Sequence, residues 1–565
     1  MNLNALKERG AYGEYGFFEA LDFTVPDPVT LQPFCVVKSF MAHHLGMGLA
    51  ATNNYLNQGV MRERFHRLPM VRAAASLLEE THLSLFATPS RRGYTIQFKN
   101  RDLPQDGGDA GRQVRTYGLP VPMSNYLSNG GYSLLVTSDG DGFSRRREVM
   151  LNRWRADTGA DTGFYVYIRD IGLDTFWSAA YHPTRVKPDR YQVNFSAHQA
   201  RFLRQDKGIV TQMEVSLTPD DSLELRRVTL KNLSGRERRL EVTGFLEVAL
   251  DTQAAESSHP AFNKLFLQSE FLADHGALLA SRRVPGGDSP TAMMMLRGGA
   301  DGKVEYETGR MNFIGRNGSL QSPRVIREGL PLSNSAAFTG DPVMSLRRQV
   351  TLPPGGEMVM LFAAGLFDSR EDAISACGAY QAAGRAEDAL ERFRQQSRIE
   401  LAYLGISGGQ LRAIQNIIRQ LYYPYRYFRG PAENIRRNWD GQSGLWKFGI
   451  SGDLPILLLL VKSEDDARLV RDVLKVYEYM GINQARADLV IIAEGNYGYT
   501  SELTNMLTGM TSSLKIYDSA REQSGIYVLH SYELAPSDMD LLYTVARLVV
   551  TGDSGIYFRR GALPG

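Results

Sequence analysis

The chain has 565 residues, 43% hydrophobic and 22% charged, and its 64 Lys and Arg against 62 Asp and Glu give a formal net charge of +2. That balance excludes wholesale disorder, because apolar material is ample, and it excludes a nucleic-acid binder that works by bulk charge. Cys35 and Cys377 lie far apart with no Cys-x-x-Cys pair, which excludes a disulfide framework and a cysteine zinc site and points to reducing, cytoplasmic surroundings.

The first residues, Met1 to Gly16, carry Lys7, Glu8, Arg9 and Glu14 and no apolar core, unlike a secretory leader. The longest aliphatic run, Ile456 to Val461, is six residues, against the roughly 20 of a spanning helix. No membrane contact by this chain is expected. Within 1–80, Met41, Leu45, Leu49 and Leu56 share one face of a predicted helix, and Pro69 opens a second helix running to about Glu80. The segment 81–119 reads as a linker, with Gly-rich Pro104 to Arg112 as surface loop.

From 120 to 368 the hydrophobic period is two. Met213, Val215 and Leu217 alternate with Gln212, Glu214 and Ser216, and Leu240, Val242, Leu246, Val248 and Leu250 repeat the pattern. Turn clusters at 138–142, 219–222 and 232–235 punctuate a dozen or more predicted strands. Two large stacked antiparallel sheets are expected. Ser369 and Asp372 then open helical sequence over 369–435, where Ile414, Ile417, Ile418 and Leu421 form one stripe. The segment 436–565 alternates: a strand at Ile456 to Val461, a helix from Ser463 to Met480, a strand at Leu489 to Ala493, a helix near Ser501 to Leu514, a strand at Ile526 to Leu529, and a helix from about Ser537 to Gly552. A small parallel sheet follows from that order. The fold class is multidomain α+β.

Adjacent His43 and His44 lack the i, i+4 spacing that lets two ligands share a metal, and no His-Glu-x-x-His occurs, so no metal site is expected. P-loop, Gly-x-Gly-x-x-Gly and Gly-x-Ser-x-Gly signatures are absent as well, and no cofactor is expected. What remains is carboxylates among aromatics, the residue types that sugar chemistry uses. One such cluster is Tyr12 to Asp22, with Glu14, Glu19 and Asp22 beside Tyr12, Tyr15, Phe17 and Phe18. Another runs from Trp439 through Trp446 to Pro455. Read alone, either could be a sugar site or a buried aromatic turn.

Longer motifs go further. Tyr15-Gly-Phe-Phe-Glu-Ala-Leu-Asp22, Lys38-Ser-Phe-Met-Ala-His-His-Leu-Gly-Met47 and Met61-Arg-Glu-Arg-Phe-His66 resemble the end of the glucoamylase-like helical domain of cyclic β-1,2-glucan synthases. Asn125-Tyr-Leu-Ser-Asn-Gly130, Asn152-Arg-Trp-Arg155, Tyr167-Ile-Arg-Asp170, Trp177-Ser-Ala179 and His259-Pro-Ala-Phe262 resemble the β-supersandwich, galactose-mutarotase-like in fold, of those synthases and of family 94 glycoside phosphorylases. Gly441-Gln-Ser-Gly-Leu-Trp446 and Gly449-Ile-Ser-Gly-Asp-Leu-Pro455 resemble the segment that follows it.

The resemblance implies a piece of a large bacterial inner-membrane enzyme that makes β-1,2-glucan, with 1–80 as the end of its glucoamylase-like domain and the catalytic barrels outside this chain. The implied partners are a β-glucan or oligosaccharide and the remaining domains of the parent, with no nucleic acid. No catalytic residue carries over; Glu19 and Asp22 match motif positions without an assignable role. Tyr15, Asn129, Arg153, Trp154, Trp177, Trp446 and Asp453 are the candidate carbohydrate contacts, although core packing is the preferred reading of Trp154 and Trp177. The chain is therefore expected to be inactive alone. The competing readings are a stand-alone carbohydrate-binding or scaffold protein and, ranked last for want of a barrel, an active glycoside phosphorylase.

Overall fold

The computed structural model describes residues 2–23, 32–67, 111–155, 161–283, 289–299, 301–336, 340–424, 429–494, 500–512 and 525–552. The helix expected from Pro69 and most of the Gly-rich loop lie outside them. The chain forms two compact units, Met1–Asp102 and Leu103–Gly565. No helix among the described residues is long and apolar enough to cross a membrane.

In the first unit, two short antiparallel pairs, Tyr12–Gly13 with Gly16–Phe17 and Ala20–Asp22 with Cys35–Val37, precede helices Ala42–Leu56 and Val60–His66. The stripe predicted on the longer helix is present, but only Met41, at its N-terminal edge, is buried; Leu45, Leu49 and Leu56 are exposed.

The second unit is built on two stacked antiparallel sheets. One has nine strands, from Leu267–Leu272 at one edge through Glu357–Phe367, Leu223–Asn232 and Ile209–Leu217 to Arg112–Val114 at the other. The other has five, centred on Arg238–Glu247 between Phe164–Asp170 and Pro342–Leu352. The alternating residues do what their period predicts: Met213, Val215, Val228 and Leu230 face Val242, Leu246 and Met344 in one core between the sheets.

The outer faces are not simply wet, as strict alternation would make them. Leu223, Leu225, Met293 and Ala363 on the nine-stranded sheet pack under helices Arg370–Gln381 and Arg385–Tyr403, against Ala373, Cys377, Tyr380 and Ala389. Ser369 caps the first of these by accepting the Asp372 N–H. Tyr167, Phe245 and Val343 on the five-stranded sheet pack under Phe313, Ile314 and Ile326.

A third, four-stranded antiparallel sheet runs from Ser124–Ser128 to Val149–Met150. Its apolar residues Tyr126, Leu135 and Phe143 share a second core with helix Gly408–Tyr422 and a four-stranded parallel sheet. The parallel order is Ile526–His530, Asp488–Ala493, Ile456–Val461, Ala546–Val550. Here the sequence reading needs correction. The last helix, Pro536–Val545, stops short, and Ala546–Val550 is a fourth strand paired to Ile456–Val461. Its Ala546, Leu548 and Val550 are buried at period two, a signal that the apolar helical run before it conceals. The helix read as ending at Met480 continues to Ile482 and is capped by Asn483.

Candidate functional site

The structure scatters the sequence-predicted residues and brings two of them together. In the first unit Glu19 pairs with His44, so one member of the histidine pair serves a local contact. Asp22 sits in register with Cys35, and Tyr15 lies exposed, edge-on to Phe40 at 6.2 Å between ring centroids.

In the second unit Asn129 is a structural clamp. Its Nδ2 donates to the Thr218 and Asp221 carbonyls at 2.8 and 2.9 Å, and its Oδ1 accepts from the Gly131 and Tyr132 N–H groups. Arg153 meets three carboxylates, Glu256 at 2.7 Å and Glu247 and Asp341 at 3.4 Å each, while Arg310 and Lys264 complete the network. Burial pushes the Glu256 carboxyl up and the Lys264 ammonium down. Three cations against three carboxylates leave Arg153 no uncompensated charge to offer a ligand.

The neighbouring Trp154 turns to the other face. Its Nε1 donates to the Tyr423 hydroxyl at 2.9 Å, and its ring packs on Phe143, Tyr422 and Tyr423. Trp177 is 1% exposed in the core between the sheets. Both indoles are taken up by packing, so neither is placed to stack on a sugar.

Trp446 and Asp453 do come together. The 3₁₀ turn Gln442–Phe448 anchors Leu445 and Ile450 in the core beneath the parallel sheet and leaves Trp446 64% exposed, with Trp439 just before it 95% exposed. Gln442 Nε2 donates to the Ser451 carbonyl at 2.8 Å and to Asp453 Oδ1 at 2.9 Å, and Trp446 Nε1 donates to the same Ser451 carbonyl at 3.3 Å.

The glycines of this segment have mechanical reasons. Gly452 has φ 78°, where a Cβ would also stand 2.8 Å from Gln442 Cγ. At Gly444 a Cβ would meet Leu541 Cδ2 at 2.7 Å, so a larger residue would have to displace that leucine methyl for the turn to close on helix Pro536–Val545. That helix clamps the segment from the other side: Lys447 pairs with Asp538, and Arg437 with Asp540 at 2.8 Å. Arg437 and Asn434 hold the Asp540 carboxyl below its usual range. Nearby Asp488 is pushed up, chiefly by burial and further by the charge of Asp453, with the Gly525 N–H opposing.

The segment therefore presents two open indole faces beside the exposed carboxylates of Asp440 and Asp453 on a stapled loop. An apolar ring face with hydrogen-bond acceptors at its rim suits a sugar ring, and an open surface suits binding. The sequence did single out this segment from Trp439, but not that its tryptophans alone among the chain's four would be bare.

One group escaped sequence reasoning altogether. Asp141, Asp161 and His182 bring potential ligand atoms within 4.8 Å of one another. They come from three separate loops, so no spacing rule could have joined them.

A family model for the glycosyl hydrolase 94 supersandwich domain matches residues 111–383. Cyclic beta-(1,2)-glucan synthase NdvB of Rhizobium meliloti (strain 1021) is 30% identical over 98% of this chain and 20% of its own length. Solabiose phosphorylase of Paenibacillus borealis is 29% identical over 48% of this chain and 36% of its own. N,N'-diacetylchitobiose phosphorylase of Vibrio proteolyticus is 24% identical over 44% of this chain and 31% of its own. The chain thus spans a fifth of the synthase and about a third of each phosphorylase. The stacked sheets are a glycosyl hydrolase 94 supersandwich domain, and the chain that carries them is a relative of the cyclic β-1,2-glucan synthases along nearly its whole length.

Proposed function

We propose that this chain is the supersandwich part of a cyclic β-1,2-glucan synthase-like protein and serves glucan synthesis and processing by binding the glucan chain. The observation that carries the reading is the likeness to the synthase along 98% of the chain, joined to the open indoles of Trp439 and Trp446. The binding surface is the segment from Trp439 to Asp453. The remaining domains of the parent are its partners, and the parent assembly sits at a bacterial inner membrane. Catalysis is left to those domains: Glu19, which matches a motif position, is engaged by His44.

The test is titration of the chain with β-1,2-glucan, followed by isothermal titration calorimetry. The parent chain is expected to bind saturably. A Trp439→Ala, Trp446→Ala double variant should keep its unfolding temperature, because both side chains are exposed, and should lose at least roughly tenfold in affinity, as expected when stacking worth about 1.4 kcal/mol or more is removed. Unchanged affinity in the double variant would refute the assigned surface, and no binding by the parent would refute the function.

A further inference from the structure

We propose that Asp141, Asp161 and His182 form a binding site for a first-row divalent cation such as Mn²⁺ or Zn²⁺, at the end of the sandwich where three loops converge.

The ligand atoms are close and the frame around them is rigid. His182 Nδ1 lies 2.6 Å from Asp141 Oδ2 and 3.8 Å from Asp161 Oδ1. Asp141 sits in the turn between strands Tyr132–Thr137 and Gly142–Arg146, Asp161 just before Phe164–Asp170, and His182 in the loop after Thr175–Ser178. Backbone hydrogen bonds tie the loops together: the Gly142 N–H donates to the Thr162 carbonyl at 2.8 Å, and the His182 N–H to the Asp139 carbonyl at 2.7 Å. Gly140 passes so close to Ala180 that a Cβ would lie 2.5 Å from the alanine's own. A site held this way is organised before any ion arrives.

The charge around it is unbalanced. Asp141 and His182 are buried, and Asp161 is largely so. Asp139 is 2% exposed; its Oδ2 accepts the Gly118 N–H at 3.0 Å, while its Oδ1 is buried with no hydrogen-bond partner. It stands two residues before Asp141 on the same turn, outside the three residues whose ligand atoms approach within 4.8 Å of one another. Against three carboxylates stand one guanidinium, Arg185, whose Nη2 donates to Asp161 Oδ1 at 2.6 Å, and one imidazole; the Tyr165 hydroxyl donates to Asp141 Oδ1 at 2.7 Å. Burying carboxylates without matching positive charge is costly. A divalent ion supplies the missing charge and takes the place of the hydrogen bond between His182 Nδ1 and Asp141 Oδ2. One imidazole nitrogen among carboxylate oxygens suits Mn²⁺ or Zn²⁺ better than Ca²⁺, which prefers an all-oxygen shell.

The test uses the whole chain, stripped with EDTA, dialysed and titrated with MnCl₂. Binding of one Mn²⁺ per chain is expected, with pulsed EPR showing coupling to one imidazole nitrogen. Asp161→Asn should weaken Mn²⁺ binding by roughly tenfold or more, the scale seen on perturbing metal shells, and should leave the circular dichroism of the metal-free protein unchanged. Absence of saturable binding, bound Mn²⁺ without nitrogen coupling, or undiminished affinity in Asp161→Asn would each overturn the site. The nitrogen coupling is read on the parent chain, so the test decides even where the variant does not fold.

Discussion

Glu400, near the end of helix Arg385–Tyr403, shows what burial does to a single charge. Its carboxyl is pushed up by desolvation, and Asn483 Nδ2, which donates to it, only partly offsets this. A carboxyl whose folded pKa is raised holds its proton longer in the folded state. It therefore contributes stability below the ordinary glutamate range, and that stability is lost as pH rises through the raised value. Glu400→Gln keeps the acceptor for Asn483 and removes the charge. Urea unfolding should find the variant more stable than its parent at pH 8 and close to it at pH 4; an equal gap at both would contradict the assignment. Residue types were legible in the sequence at this scale, but their environments were not. Arg153 and Trp154 are neighbours in one motif, yet one joins a charge network and the other an aromatic core.

Elements were legible wherever one period ran unbroken. The strands Ile209–Leu217 and Arg238–Glu247 and the helix Gly408–Tyr422 fall where their apolar spacing put them. Ala546–Val550 was hidden because a helix feeds straight into it with no turn residue between. Gln415 marks a second kind of hidden information. On helix Gly408–Tyr422 it is 2% exposed, accepting the Tyr126 N–H at 2.8 Å and donating to the Tyr126 carbonyl at 2.9 Å. A side-chain amide thus continues the ladder along the edge strand Ser124–Ser128, where a periodicity argument sees only a polar residue out of place. Gln415→Leu would orphan both Tyr126 groups at on the order of 1–3 kcal/mol each. Chemical denaturation should show a loss of about 2–6 kcal/mol for the two groups together, and a loss below about 0.5 kcal/mol would show that the contact is dispensable.

The molecule as a whole explains why its sites were harder to read than its fold. The cores of the second unit are assembled from residues far apart in sequence: the small antiparallel sheet is stapled to the α/β segment through Tyr126 and the Asn483 carbonyl, and to helix Gly408–Tyr422 through Arg145 and the Tyr422 hydroxyl at 3.0 Å. The same convergence builds the Asp141, Asp161 and His182 group. The segment from Trp439 to Asp453 was legible because it is local, with its glycines, indoles and carboxylates in one stretch. Its exposure follows from which residues the turn anchors beneath it.

The most direct test of glucan binding is hydrogen exchange on the whole chain with and without β-1,2-glucan, read segment by segment. Binding at the proposed surface predicts slowed exchange centred on residues 438–455, with the core strands unchanged. Slowed exchange confined to other segments, or none at saturating glucan, would contradict it.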